Sequence, residues 1–503
     1  MQPNFFCKGL RKGKITAMEN HFESFRKNII GFNQTIETPF GEKPLIYADW
    51  IASGRLYRPI EEKMQNTFGP FIGNTHTETS VTGTLMTNAY HHAQQIIKNH
   101  VNAAKDDVIL FAGHGMTAVI NKMQRILGLK SCGIIGKKDC LQKSEKPVIF
   151  ITHMEHHSNQ TSWYETIADV EVIQPDKDLL VDLDDLKAKL KKYEDRKLKI
   201  GSFTAASNVT GIETPYHQMA RIMHEANGLC FVDFAASAPY VDINMHPGDE
   251  MEKLDAIFFS PHKFLGGPGT SGVMIFDSNI YKNPVPDHPG GGTVDWTNPW
   301  GEYKYIDDIE AREDGGTPGF LQAIRTSLAL TLKDLMNPEA IRKREDEILV
   351  KAFDRLHKID GLNILADNMH HRLGVISFYI DDLHYNLGVK LLNDLFGIQT
   401  RGGCACAGTY GHYLLDVSYE DSHQITQLIN TGDLSKKPGW IRASLHPTMT
   451  DDELEQLLHG IEIVAREHKE LINHYEYNKH TNEFYHHSEP KDKTGYVKAW
   501  FDL

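Results

Sequence analysis

No apolar run in the 503 residues approaches the roughly 20 that a bilayer-spanning helix needs, which argues against a helical membrane protein. The first ten residues, Met1 to Leu10, lack the long apolar core of a secretory signal and are expected to form a partly ordered arm. Cysteine is scarce: Cys7, Cys132, Cys140, Cys230, Cys404 and Cys406 are too few and too scattered for a disulfide scaffold. A reducing, cytoplasmic setting is expected. Basic residues are outnumbered, 53 against 67 acidic ones, and the net charge of -14 makes the surface a poor generic partner for nucleic acid or anionic membrane. Internal repeats and long low-complexity linkers are absent. Hydrophobic content of 40% and charged content of 24% are ordinary for a globular chain, and the length allows a large core in two or more structural units.

Short apolar strands alternate with longer amphipathic helices through the first half. Strands are expected at Asp107–Phe111, Val148–Thr152, Val170–Ile173, Ile200–Ala205, Leu229–Asp233, Ala256–Phe259 and Gly272–Phe276. An amphipathic segment is expected over about Met18–Ile29, helices at Thr84–Val101, Thr117–Leu127, Asp182–Lys192 and Tyr216–Asn227, and a strand leading into a polar turn in Pro44–Asp49. This alternation predicts an α/β sheet covered on both faces, with ligands at the carboxyl ends of its strands. From Ala323 the pattern changes to a long helical region, Ala323–Leu356, then Arg372–Tyr379, Val389–Phe396, a strand at Trp440–Leu445 and a helix at Asp452–Lys469. The expected division is an N-terminal segment, residues 1–50, contributing to a smaller α+β domain; a large domain, 51–325; the small domain, 326–475; and an extended tail, 476–503.

Several polar groups stand at the ends of these strands. Lys263 follows Ala256–Phe259 in Ser260-Pro-His-Lys263, where partial desolvation would favour imine formation; a solvated edge lysine is the plainer alternative. Asp233 ends an apolar strand and can protonate a heterocycle's nitrogen or cap a helix. Gly113-His-Gly-Met-Thr117 precedes a helix whose first N–H groups can hold a phosphate, with Ser260 and His262 as further donors, or can simply turn the chain. It is not a P-loop, since no Gly-Lys-Ser/Thr follows. The histidines of Thr152-His-Met-Glu-His-His-Ser-Asn159 admit a metal or an imidazole stacked on an aromatic cofactor, although the spacing is not His-Glu-x-x-His. Asn208 can bond a ring substituent or form an Asx turn. Arg401 and Arg442 can clamp a carboxylate or serve as structural ion-pair partners. Cys404 and Cys406 form a Cys-x-Cys whose thiols can be nucleophilic or inert. Gly290-Gly-Gly-Thr293 and Asp314-Gly-Gly-Thr-Pro318 can supply backbone donors or turns.

Taken in order, these segments resemble the class V aminotransferase family of pyridoxal 5'-phosphate enzymes, nearest to its cysteine desulfurase and selenocysteine lyase group. The resemblance spans about Pro44 to Glu467. It is carried by Tyr47-Ala-Asp49, Asn74-Thr-His76, Gly115-Met-Thr-Ala-Val-Ile-Asn121, Met154-Glu-His-His-Ser-Asn159, Ser207-Asn-Val-Thr-Gly-Ile-Glu213, Val232-Asp-Phe-Ala-Ala236, Phe259-Ser-Pro-His-Lys263, Asp314-Gly-Gly-Thr-Pro318, Arg401-Gly-Gly-Cys-Ala-Cys-Ala407 and Arg442-Ala-Ser-Leu445. It implies a fold type I architecture, with a mostly parallel seven-stranded sheet beside a smaller α+β domain. It implies that Lys263 is the Schiff-base lysine and proton shuttle, Asp233 pairs with the pyridine nitrogen, His156 stacks on the ring and Asn208 sits near the ring oxygen. Met116, Thr117, Ser260 and His262 would surround the phosphate, with Gly316 and Thr317 reaching it from a neighbouring subunit of a homodimer. Arg442 would bind the substrate carboxylate, with Arg401, Asn74 and His76 as further substrate-side residues, and Cys406 would accept sulfur.

Two positions depart from the family pattern. Ala236 stands where desulfurases usually carry glutamine, and Cys404-Ala405 where they carry two histidines. The implied reaction is removal of sulfur from L-cysteine or a related amino acid, with a sulfur-acceptor protein as a further partner. An aminotransferase or epimerase on the same cofactor, a noncatalytic binding protein and a metal hydrolase are the rival readings.

Overall fold

The computed structural model describes residues 16–75, 77–130, 142, 144–489 and 497–502. Seven strands form the main sheet: β1 (Val108–Ala112), β2 (Val148–Thr152), β3 (Asp169–Ile173), β4 (Lys199–Thr204), β5 (Leu229–Asp233), β6 (Ala256–Phe259) and β7 (Gly272–Phe276). Their spatial order is β1-β7-β6-β5-β4-β2-β3. Neighbours from β6 to β3 are parallel; only β7 runs against both of its neighbours. Residues of β2, β4, β6 and β7 are buried throughout, as expected for strands covered on both faces. The register sets Thr204 beside Asp233 and Asp233 beside Phe258, so β4, β5 and β6 end along one edge.

The β1 chain turns directly into the helix Met116–Ile126, which buries Met116, Val119, Ile120, Met123 and Ile126 at helical spacing. Its first turn crosses over the start of β7. A side chain at Gly272 would place Cβ 2.2 Å from the Gly115 carbonyl oxygen, so only glycine admits that approach.

A second sheet is antiparallel: β8 (Leu362–Ile364), β9 (Val375–Ile380), β10 (Arg401–Gly403) and β11 (Trp440–Ser444), in the order β8-β9-β11-β10. The N-terminal segment joins it. Ile46–Tyr47 pairs in parallel with Ile398–Gln399, and Asp49 bridges to Ser444. Ile46 and Ala48 belong to the same apolar cluster as Phe353, Phe378, Leu391 and Ile441.

Several expectations need correction. The region expected as one helical run over Ala323–Leu356 is two helices, Phe320–Met336 and Pro338–Leu356. Asn337 breaks it with φ 67, and its side chain accepts the Glu339 and Ala340 N–H groups. Pro338 cannot donate to a preceding turn, so the apolar periodicity runs through a point where the backbone cannot. The segment expected as an extended tail contains a hairpin, Tyr475–Asn478 against Glu483–His486. Tyr475 donates to Asp394 at 3.0 Å and fastens the hairpin to the helix Tyr385–Phe396. Two four-residue strands with polar alternate positions carry too little period for sequence reading to find. Pro44–Asp49 divides between Gly41–Pro44 and Ile46–Tyr47, and the short hairpin Val294–Thr297/Tyr303–Tyr305 was not anticipated. No helix of the described residues is long and apolar enough to cross a membrane.

Candidate active site

A cavity of about 840 Å³ lies at the carboxyl ends of β4, β5 and β6 and is walled by both sheets. The large sheet contributes Thr117, His156, Asn208, Asp233, Ser260, His262 and Lys263; the segment around the second sheet contributes Arg401, Cys406 and Arg442. Strand ends are where an open α/β sheet exposes backbone and loops to a ligand.

One end is built for an anion. Gly115 precedes the helix Met116–Ile126 and gives it no side-chain cap, leaving the helix start open to a ligand. The Ser260 hydroxyl accepts the Met116 N–H at 2.8 Å, and the hydroxyls of Thr117 and Ser158 lie 2.6 Å apart. A Cβ at Gly115 would stand 3.0 Å from the Ser260 Oγ and 3.6 Å from the His262 ring. Burial, with the Lys263 charge beside it, pushes His262 down to about 4, so its imidazole is neutral at ordinary pH.

The centre holds an amine and an acid. Lys263 is the last residue of the short helical turn Pro261–Lys263 after β6, and burial lowers it to about 8 against the opposing pull of Asp233. Asp233 is pushed up to about 6, mainly by burial; the Ala235 N–H, donating at 2.8 Å, and Lys263 work the other way. Near neutral pH Asp233 is largely ionised and Lys263 is within reach of its uncharged form. His156 is the N-cap of the helix His157–Tyr164, its Nδ1 accepting from the Ser158 N–H at 3.1 Å. Burial and then Lys263 lower His156 to about 3, leaving a neutral ring on the cavity wall.

The second sheet closes the other end. Arg442 is buried; its Nη2 donates to Asp49 Oδ1 at 2.7 Å and its Nη1 to the Asn208 carbonyl at 3.1 Å, while Nε has no partner. Arg401 is exposed and opposite Arg442 in the strand register. Asn208 Nδ2 donates to the Ala405 carbonyl at 2.7 Å, and its Oδ1 is buried without a partner. Cys406 lines the cavity from a loop in which Ala405 and Cys406 have φ 50 and 59.

The expected phosphate and ring residues Met116, Thr117, His156, Asn208, Asp233, Ser260, His262 and Lys263 therefore share one cavity with Arg401, Arg442 and Cys406. Gly316, Thr317 and Asn74 do not line it. Thr317 Oγ1 donates to Asn74 Oδ1 at 3.3 Å, and the Gly316 N–H donates to Gly291 at 2.8 Å. His76 lies outside the described residues. The histidine run does not converge on one point: His153 bonds the Leu179 carbonyl, His156 faces the cavity, and His157 Nε2 accepts the Gly408 N–H.

Sequence reading gave no role to Asp49 or Glu155. Asp49 is Arg442's ion-pair partner from nearly 400 residues away. Glu155 is buried beneath the site, accepting from Thr152, Asn159 and the Thr204 N–H, and so ties β2 to β4 beside His156. Burial pushes Glu155 up to about 7. Its place next to His156 was a signal, but only the packing reveals the partners.

An amine that can lose its charge, a buried acid, a neutral imidazole wall and an open helix start with a glycine cradle could together hold an aromatic aldehyde bearing a phosphate. The orphaned Asn208 Oδ1 suits a ring hydroxyl. Pyridoxal 5'-phosphate has these features, and the residues fit it.

The chain belongs to the aminotransferase class-V family, whose model matches residues 46–457. A "Probable cysteine desulfurase" of Halalkalibacterium halodurans is 28% identical over 329 residues, covering 64% of this chain and 74% of that protein. One from Staphylococcus epidermidis is 29% identical over 338 residues, covering 65% and 75%. Among solved structures, the apo cysteine desulfurase of Thermococcus onnurineus NA1 superposes with a TM-score of 0.69 at 21% identity, covering 88% of this chain and 98% of that one. The cysteine desulfurase CsdA of Escherichia coli gives 0.65 at 22%, covering 84% and 94%. At these identities the structural likeness shows the fold.

Proposed function

We propose that this chain is a pyridoxal 5'-phosphate-dependent lyase that removes sulfur from L-cysteine or a closely related amino acid, as the names of its curated relatives suggest. Lys263 would hold the aldehyde carbon, Asp233 the ring nitrogen, His156 the ring face and Asn208 the ring oxygen. The helix start at Met116 and Thr117, with Ser260 and His262, would hold the phosphate. When bound, the cofactor supplies an electron-withdrawing ring that stabilises negative charge at the substrate's α-carbon.

The chain's own residues do the rest. Arg442 receives the substrate carboxylate; its unpartnered Nε–H is a donor available while Nη2 stays on Asp49. Lys263, brought down to about 8 by burial, can exist as the free amine that takes the α-proton. Asp233 stays charged opposite the ring because Lys263 and the Ala235 N–H offset part of its burial. The Cys406 thiolate then attacks the substrate sulfur, the carbon–sulfur bond breaks, and alanine leaves with the sulfur held as a Cys406 persulfide.

The observation that carries this reading is that Cys406 opens onto the same cavity as Lys263 and Arg442. The test is alanine release from cysteine by Cys406→Ala. A fall of about 100-fold or more is expected, corresponding to about 3 kcal/mol of barrier; alanine production at the wild-type rate would end the persulfide step. Keto-acid release with the amine left on the cofactor would instead mark an aminotransferase.

A homodimer is part of the same reading. Gly316 and Thr317 are off their own cavity on a surface segment, where a second subunit's phosphate site could receive them. Cys230, Cys404 and Cys406 are free thiols, which suits a reducing, cytoplasmic setting.

A further inference from the structure

The loop that carries Cys406 carries a second thiol two residues earlier, and its geometry is that of a built turn. The Ala407 N–H donates to the Cys404 carbonyl at 3.0 Å, closing a four-residue turn over Ala405 and Cys406. Both central residues are left-handed, with φ 50 and 59, although neither is glycine. That conformation costs about 1–2 kcal/mol per residue and persists only where the surroundings hold it. Here they do. The Ala405 carbonyl accepts from Asn208 Nδ2 at 2.7 Å, and the Cys406 carbonyl accepts the His157 N–H at 2.8 Å. His157 in turn receives the Gly408 N–H on Nε2 at 2.9 Å. Three successive carbonyls are thus pinned, that of Ala405 by Asn208 of the cavity wall.

The two thiols have different surroundings. Cys406 lines the cavity; Cys404 does not, and packs against the large apolar core. Both are half-buried and free, whereas Cys230 is completely buried. Two residues of chain span at most about 7 Å even when extended, and a turn contracts that into the range of about 4.4–6.8 Å between Cα atoms that a disulfide tolerates. Cys404 is therefore close enough along the chain to meet Cys406 once the Cys406 side chain turns out of the cavity, and it does not itself line that cavity.

We propose that Cys404 is a resolving thiol: it attacks the Cys406-bound sulfur of the Cys406 persulfide and expels the outer sulfur as sulfide. This rests on the desulfurase reading above. The Cys404–Cys406 sulfur–sulfur bond forms as the persulfide bond breaks; the electron pair of the broken bond leaves with hydrosulfide, and the Cys404 proton goes to solvent. The exchange needs no outside oxidant, because the sulfane sulfur is reduced as the two cysteines are oxidised. An external dithiol then reduces the disulfide for the next turnover. Rotation of Cys406 toward Cys404 also draws it out of the cavity, which separates sulfide release from substrate chemistry.

The test is a single turnover of the holoenzyme with L-cysteine in the absence of added thiol, followed by alkylation and mass analysis of the tryptic peptide beginning at Gly402. Wild type should release one sulfide per alanine and yield a peptide about 2 Da lighter than the dithiol, while Cys404→Ser should form alanine at the wild-type rate, release at least about tenfold less sulfide and keep about 32 Da of extra mass on Cys406. Persistence of that mass on Cys406 in wild type, without sulfide, overturns the proposal. So does its appearance on Cys404, which would mark relay of the sulfur instead of its release. A parallel arm loads the protein with inorganic polysulfide. Disulfide and sulfide in that arm, with no alanine from cysteine in the first, would uphold the resolving thiol and refute the desulfurase reading alone. Failure in both arms refutes the resolving thiol.

Discussion

Replacing Lys263 with methionine should stabilise the cofactor-free protein, and the gain should depend on pH in a way that identifies its cause. Methionine keeps the volume and the unbranched stem but carries no charge. The folded chain holds the Lys263 amine at about 8 against an ordinary 10.5, chiefly because partial burial disfavours its charge, with Asp233 pulling the other way. At about 1.4 kcal/mol per pH unit, the buried ammonium costs about 3 kcal/mol at any pH below 8. Between about 8 and 10.5 the unfolded chain keeps a proton that the folded chain has released, so stability rises with pH. Above 10.5 both states are neutral and the cost is gone. Lys263→Met should therefore gain its full advantage at pH 7 and lose the electrostatic part of it by about pH 10.5. At about 1 °C per kcal/mol for a chain of this length, the thermal midpoint should rise by about 3 °C at pH 7 relative to the difference measured at pH 10.5. Asp233 loses its counter-charge in the variant and takes up a proton more readily, which trims the gain without changing its sign. Thermal unfolding of both cofactor-free proteins at the two pH values is the assay. A difference in midpoint that is the same at both pH values, or lower stability of the variant at pH 7, would refute the account of a buried amine held at cost for chemistry.

Two further outcomes test the surroundings of the site. Gly115→Ala should fold normally, since φ 169 is ordinary extended backbone, but its Cβ would crowd Ser260 at 3.0 Å. Cofactor affinity, read by titrating visible absorbance, should fall by about tenfold or more, equivalent to about 1.4 kcal/mol; unchanged affinity would remove the anion cradle. Asn482→Ala strips the Tyr385 hydroxyl of the Asn482 Nδ2 donor that meets it at 2.7 Å, and should destabilise by about 1–3 kcal/mol, the cost of an unsatisfied buried polar group. The loss should shrink in a Tyr385→Phe background, as coupled partners require; equal losses in both backgrounds would mean that the hairpin does not act through that hydroxyl.

Much of the large sheet could be read in advance because each strand is a short, nearly uninterrupted apolar run. Val148–Thr152, Leu229–Asp233, Ala256–Phe259 and Gly272–Phe276 have the same limits in the sequence and in the structure. Burial on both faces writes that signal into composition, without need of partners. The elements that escaped are those whose stability comes from elsewhere. The hairpin at Tyr475–His486 holds through Tyr475, Asn482 and their contacts to Tyr385 and Asp394. The break at Asn337 rests on one backbone conformation.

Local sequence alone determined which chemical groups stand at the strand ends: Lys263 after β6, Asp233 on β5, and the glycine-rich entry to the helix at Met116. A strand's end and the polar residues beyond it lie in one short stretch of chain, so the information is local. Only tertiary structure decided that Arg442 is held by Asp49, that Asn208 props the Ala405 carbonyl, and that Cys406 faces the cavity while Cys404 packs against the core. Those relations join residues hundreds of positions apart, through burial and hydrogen bonds that exist only once the two sheets meet.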